Sequence, residues 1–186
     1  MDFGAKFPTG LTYQEFLAKY GTEAHQQRWA AVHATSALTA AQKELLGSFR
    51  RQVKVLCMAG AWCGDCVEQC PIFDHIEQAS PAIEIRYFDR DDNDDLREAL
   101  SLCGGARVPQ VVFLNEDDQF VGRYGDRTLA KYRSMAADKL GAGCPTGIVP
   151  PAAELTGAVA QGWIDEFERV QLMLRTSPRL REKHND

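Results

Sequence analysis

Two cysteines separated by two residues, Cys63 and Cys66, lie in the run Ala61-Trp62-Cys63-Gly64-Asp65-Cys66, with Cys70-Pro71 just downstream. The run Val53-Lys54-Val55-Leu56-Cys57-Met58 before them reads as a buried strand, and the pattern from Val67 onward as a helix. Cys63 is thereby placed in the first turn of a helix. There the unpaired backbone N–H groups and the positive end of the helix dipole favour a thiolate by about 0.3–1 kcal/mol. A thiolate is the nucleophile of disulfide exchange, so the placement suits dithiol–disulfide chemistry. The same C-x-x-C spacing also serves zinc sites. Residues 63, 66 and 70 fall at i, i+3 and i+7, within about 60° of one helical face. Cys70 can therefore be a third thiol of a redox or metal site, or a small core residue. A ferredoxin-type cluster would need an earlier cysteine where Gly60 stands, and a zinc site completed by His75 would make one helix wrap four ligands around an ion.

The bulk properties bound these readings. The chain has 186 residues, 45% of them apolar and 25% charged, an ordinary globular composition with length enough for a real core. A net charge of −5 argues against nucleic acid or an anionic membrane as a partner. No stretch approaches the roughly 20 apolar residues that span a bilayer. The N-terminus lacks the basic-then-apolar layout of a secretory signal, so the expected location is cytoplasmic. Six cysteines, at 57, 63, 66, 70, 103 and 144, are many for such a chain. Secreted disulfide scaffolds are usually shorter and loop-rich. In a reducing compartment the count points to redox or metal chemistry plus small apolar core residues.

The elements that must position the cysteines follow from capping and periodicity. Thr12 with Glu15, and Thr39 with Gln42, form capping-box patterns that open helices, the first pausing at Gly21-Thr22 before resuming through Trp29 and Val32. A strand is expected over Val53–Ala59, a helix over Gly64–Ala79 stopped by Ser80-Pro81, and a strand over Ile83–Asp89. The acidic run 91–95 then feeds a short helix ending at Gly104-Gly105 and suits a solvated helix start. Residues 110–114 and 119–124 read as a hairpin, and a helix follows from about Arg127 to Leu140. Gly141 to Pro151 reads as a rigid loop or linker. A last amphipathic helix carries Trp163, Phe167, Val170 and Leu174 on one face and ends near Ser177-Pro178.

Trp-Cys-Gly-X-Cys after a buried strand, with the order strand, helix, strand, helix, strand, strand, helix, resembles the thioredoxin family. Pro71 stands where that family kinks its active-site helix, and Val108-Pro109 where it has a cis-proline facing the dithiol. Gly125 matches its groove glycine. The resemblance implies an α/β thioredoxin-like fold, a three-layer α/β/α arrangement with a central mixed sheet plus N- and C-terminal helical extensions. The expected organisation is one domain over 1–186: an N-terminal extension over 1–39, the core over 40–140, and a linker and C-terminal helix over 141–186. The function it implies is reduction of protein disulfides. Cys63 attacks and Cys66 resolves the mixed disulfide, with Trp62, Val108, Pro109 and Gly125 bordering the substrate and Asp65 auxiliary. The dithiol would be the only redox group, with no cofactor or metal, and electrons would come from a thioredoxin-reductase-type donor or a small thiol.

Two positions depart from the family. Cys57 occupies the central-strand place where thioredoxins usually bury an aspartate, so the usual proton acceptor for Cys66 is missing. Asp65 replaces the usual proline, and a carboxylate there disfavours a thiolate and makes the pair more reducing. Cys57 and Cys103 otherwise read as core residues and Cys144 as exposed. None of the four histidines pairs with a motif that would make it a catalytic base, and Ser/His/Asp and phosphate-loop patterns are absent. The competing readings are a metal-binding module built on Cys63, Cys66 and Cys70, and a thioredoxin-fold adaptor whose dithiol is not catalytic.

Overall fold

Val53–Ala59 (β1) is buried along almost its whole length, with only Lys54 half-exposed. Successive strand residues point to opposite faces, so such a run needs cover on both sides. The computed structural model, which describes residues 1–140 and 152–186, provides that cover with helices around a four-stranded mixed sheet. The strand order is β2-β1-β3-β4. β1 runs parallel to β2 (Ile83–Asp89) and antiparallel to β3 (Gln110–Asn115), which pairs antiparallel with β4 (Phe120–Gly125). This is an α/β thioredoxin-like architecture. Between β1 and β2 the chain crosses over through α5 (Gly64–Ala79).

The first fifty residues form α1 (Phe3–Lys6), a 3-10 turn over Phe7–Thr9, α2 (Tyr13–Tyr20), α3 (Glu23–Thr35) and α4 (Ala40–Gly47). The capping boxes at Thr12 and Thr39 form with Glu15 and Gln42. A third, Thr22 with His25, opens α3. The backbone of Leu11 bridges to Tyr87 at the outer edge of β2. Tyr13, Phe16, Trp29 and Tyr87 then pack as tilted and edge-on rings with centroids 5.7–6.0 Å apart.

The short helix α6 (Asp94–Ala99) stops five residues before Gly104-Gly105. Leu102 and Gly105 pair through both backbone hydrogen bonds. The turn between them takes positive φ at Cys103 (51°) and Gly104 (71°), as a two-residue hairpin turn requires. Cys103 is therefore exposed rather than a core residue. Past β4 come α7 (Leu129–Leu140), α8 (Ala152–Thr176) and α9 (Pro178–His184). The expected linker and Cys144 lie outside the described residues. Helix α8 buries the expected stripe of Trp163, Phe167, Val170 and Leu174, and Val159 one turn before it. It ends at Thr176, next to the expected Ser177-Pro178 stop, and Pro178 in the first turn opens a further helix, α9. Arg179, Lys183 and His184 of α9 pair with Glu116 and Asp117 in the β3–β4 turn.

Two buried indoles tie the end helices to the segment carrying the cysteines. Trp29 of α3 donates to the Ala61 carbonyl at 2.9 Å, just before Trp62. Trp163 of α8 donates to Gln69 of α5 at 2.8 Å and packs edge-on against Phe73 and Tyr124. Replacing Trp29 with Phe keeps most of the packing but orphans a buried carbonyl. We expect Trp29→Phe to lower unfolding stability by about 1–3 kcal/mol in chemical denaturation, whereas Leu172→Ser, on the exposed face of α8, stays within about 0.5 kcal/mol.

Candidate active site

After β1 the chain turns through Gly60-Ala61-Trp62 and enters α5 with Cys63 as its N-cap residue. A Cβ on Gly60 would lie 2.8 Å from the Trp62 ring, so glycine lets the indole fold back over the turn. Trp62 stays 43% exposed, with the Arg90 guanidinium 4.5 Å above its ring centroid. No side chain caps α5. The N–H groups of its first turn are thus free to face a negative sulfur. Further along, Pro71 supplies no N–H to the carbonyl one turn back, which interrupts the helical ladder below the site.

Cys63 is partly exposed and its Sγ donates to the Val108 carbonyl at 3.6 Å. Cys66 is fully buried one turn in, and its sulfur accepts from the Gly60 N–H at 3.5 Å. All five described cysteines are free thiols. Cys63 and Cys66 ionise as a pair. For Cys63 the neighbouring Cys66 thiol, then burial, hold the proton on, while the N–H groups of Cys66 and Asp65 pull the other way. For Cys66 burial opposes charge, but its neighbours Cys63 and Cys70 and the Gly60 N–H outweigh it and bring it below the ordinary thiol value. The dithiol therefore releases one proton readily and holds the second far above the usual range.

Across from the dithiol, the Val108–Pro109 peptide bond is cis and leads into β3. Gly125 ends β4 at φ +128°, and a Cβ there would stand 2.5 Å from the Pro109 carbonyl oxygen, so only glycine lets the two strands' ends meet. The next residues complete the site. Arg127 clasps Asp65 through two bonds of 3.0 and 2.5 Å and donates to Asp126 at 2.8 Å. Asp126, 1% exposed, also accepts from the Tyr132 hydroxyl and lies 3.6 Å from Arg107. These groups, with Trp62, Cys63 and Val108, line an open cleft of about 500 Å³.

The thioredoxin family model matches residues 10–138 of the chain. The chain belongs to the thioredoxin family. Among solved structures, this thioredoxin-family chain is similar to a protein of unknown function from Pseudomonas aeruginosa, at 23% identity and a TM-score of 0.65, covering 88% of this chain and 97% of that one. An HIV epitope-scaffold matches at the same identity and TM-score over 88% and 98%. These likenesses concern the fold. No curated protein matches the chain.

The structure brings Trp62, Cys63, Asp65 and Val108 to one cleft; Pro109 and Gly125, each next in the chain to a lining residue, abut one another but do not line it. Cys66 and Cys70 are fully buried and do not line it. Sequence reasoning named none of Arg127, Asp126, Arg107, Tyr132 or Gln69. Arg127 reaches Asp65 across 62 positions and Trp163 reaches Gln69 across 94, so no local spacing marks either pair. His33 and His75 do share one spot: their rings stack at 4.0 Å, and His33 binds the buried Asp74 at 2.7 Å. The Asp65 carboxylate is turned to Arg127, which offsets its effect on the thiols. Removing that cation exposes the dithiol to an unbalanced negative charge, and a carboxylate beside a thiolate raises the thiol pKa. In Arg127→Met we expect the pH midpoint of alkylation at Cys63 to rise, with slower iodoacetamide modification at neutral pH than in the wild type.

Proposed function

We propose that the protein is a thiol–disulfide oxidoreductase that reduces disulfides in protein substrates. The observation that carries this reading is the unequal placement of the two thiols. Cys63 is reachable from the cleft at an uncapped helix end, while Cys66 lies one helical turn further in, fully buried. A single accessible thiol lets one substrate sulfur in at a time.

The pair releases one proton, and when the proton it keeps passes to Cys66 the Cys63 thiolate attacks one sulfur of a substrate disulfide, forming the Cys63–substrate S–S bond. The other substrate sulfur leaves as a thiolate. Cys66 then passes its proton to that released thiolate and attacks the Cys63 sulfur. The Cys63–Cys66 bond forms as the mixed disulfide breaks, and the second substrate sulfur departs as a thiolate. Two electrons move from the dithiol to the substrate. A thioredoxin-reductase-type donor or a small thiol would return them.

The surroundings suit an extended protein segment. Trp62 offers an exposed ring beside Cys63, and the Val108 carbonyl lies within reach of the Cys63 sulfur at the start of β3. A strand-like substrate can pair with such backbone groups. Asp65 supports the reducing direction: even paired with Arg127, its charge opposes ionisation of Cys66. No described helix is long and apolar enough to cross a membrane, and a cytoplasmic setting would keep the thiols reduced.

In an insulin-disulfide assay we expect Cys63→Ser to lower the rate by about a hundredfold or more, because among the described residues no other thiol lines the cleft. Cys66→Ser should start the reaction but stall as a mixed disulfide visible by mass spectrometry. The reduction potential should fall nearer to about −270 mV than to about −120 mV, the values of a reducing and an oxidising dithiol protein. Full activity in Cys63→Ser would refute this reading, and negligible activity in the wild type would point to an adaptor.

A further inference from the structure

Three arginines, Arg90, Arg107 and Arg127, line the cleft beside Cys63. Two of them are fully engaged. Arg127 clasps Asp65, reaches Asp126 at 2.8 Å, and leaves its side chain only 19% exposed. Arg90 grips Asp91 through Nε at 2.9 Å and Nη2 at 3.2 Å. Its Nη1 donates to the Ala106 carbonyl at 3.4 Å, and the group lies over the Trp62 ring. Arg107 differs. Its side chain is 42% exposed, and among the described residues its guanidinium makes one hydrogen bond, from Nη1 to the Tyr132 hydroxyl oxygen at 3.5 Å.

We propose that Arg107 is a specificity-determining residue: its remaining N–H groups receive a carboxylate that the substrate carries close to the disulfide attacked by Cys63. This rests on the oxidoreductase reading. A guanidinium has five N–H donors in a planar fork, which matches a carboxylate through two parallel bonds. Nη1 is pinned on Tyr132, whose own hydroxyl donates to Asp126, so the fork is held at one end while the rest stays open to the cleft. Asp126 does not occupy this cation. It stands 3.6 Å away, beyond hydrogen-bond distance, and its two oxygens already hold Tyr132 and Arg127.

The backbone fixes where such a carboxylate binds. The Arg107 N–H donates at 3.0 Å to the carbonyl of Gly105, itself paired with Leu102, and Arg90 holds the Ala106 carbonyl. Arg107 is thus set immediately before Val108, whose carbonyl accepts from the Cys63 sulfur at 3.6 Å. Neighbouring Cα atoms are about 3.8 Å apart, and an extended strand advances about 3.3 Å per residue. The carboxylate therefore belongs one or two residues from the attacked cysteine in a protein segment, or on the body of a small disulfide. The chain carries a net charge of −5, so its overall field does not draw in an acidic substrate and the attraction is local to this contact. The carboxylate only binds, and the two-electron balance of the exchange is unchanged.

The test measures kcat/KM of the full chain on two matched pairs of disulfides. One pair is a disulfide-bridged peptide with Glu two residues from a cysteine and the same peptide with Gln there. The other is dithiodipropionic acid and its diamide. Preference is taken as a ratio within each variant, so any change in the Cys63 nucleophile cancels. The wild type should prefer the acidic member of a pair by about fivefold, through KM, with the ratio falling towards one at about 0.5 M salt. Arg107→Gln should erase the ratio, Arg107→Lys should keep part of it, and Arg107→Glu should invert it. A preference in the peptide pair identifies an acidic protein segment, and one confined to the small pair identifies a small carboxylated disulfide. Equal values within both pairs, or a ratio that survives Arg107→Gln, would overturn the proposal. A wild type that reduces none of the four would sink the oxidoreductase reading. Arg107 is then judged by calorimetric binding of the Glu and Gln peptides with serine in place of cysteine. Tighter binding of the Glu peptide, lost in Arg107→Gln, supports the proposal, and equal Kd values overturn it.

Discussion

One fully buried amide, Gln69, sets where the dithiol sits. Its NH2 group donates to the Asp65 carbonyl on its own helix at 3.1 Å and to the Asp126 carbonyl at 3.0 Å, and its oxygen accepts from Trp163 at 2.8 Å. Three separate parts of the chain, α5, the segment after β4 and α8, thereby meet at one side chain. A buried amide left without these partners would bear its desolvation cost uncompensated, so the three parts cannot slide past one another independently. On the opposite side the Trp29–Ala61 bond holds the turn before Cys63. The open end of α5 is thus gripped from both ends of the chain.

The charged wall beside the dithiol follows from the same placement. Asp126 is almost wholly buried, and a carboxylate there is tolerable because Arg127 and Tyr132 bind it and Arg107 lies near. Arg127 in turn carries Asp65, the residue between the two cysteines. Its own ionisation is made more secure by these acids, against the burial that opposes it. The motif carboxylate and the two residues after Gly125 therefore act as one electrostatic unit, with the thiols at its edge.

How much of this was legible in the sequence depended on range. The strand over Val53–Ala59 and the helix over Gly64–Ala79 were readable because continuous burial and breaker residues leave local marks. The Thr12 and Thr39 caps were readable because Glu and Gln three residues on are the usual partners. The Thr22 cap was not, since its partner is His25. Cys103 was misread because a cysteine alone does not announce a left-handed turn, while its neighbour Gly104 marked only the end of a helix. The pairings of Arg127 and Gln69 leave no local trace at all, since each joins residues that only the folded sheet brings together.

The three tryptophans have unequal surroundings, and this has an optical consequence. Trp29 and Trp163 are fully buried, whereas Trp62 is open to water beside Cys63 with a guanidinium over its ring. Buried indoles are expected to emit at shorter wavelength than an exposed one. The molecule is therefore built to give two fluorescent components, one from its core and one from the surface beside the dithiol.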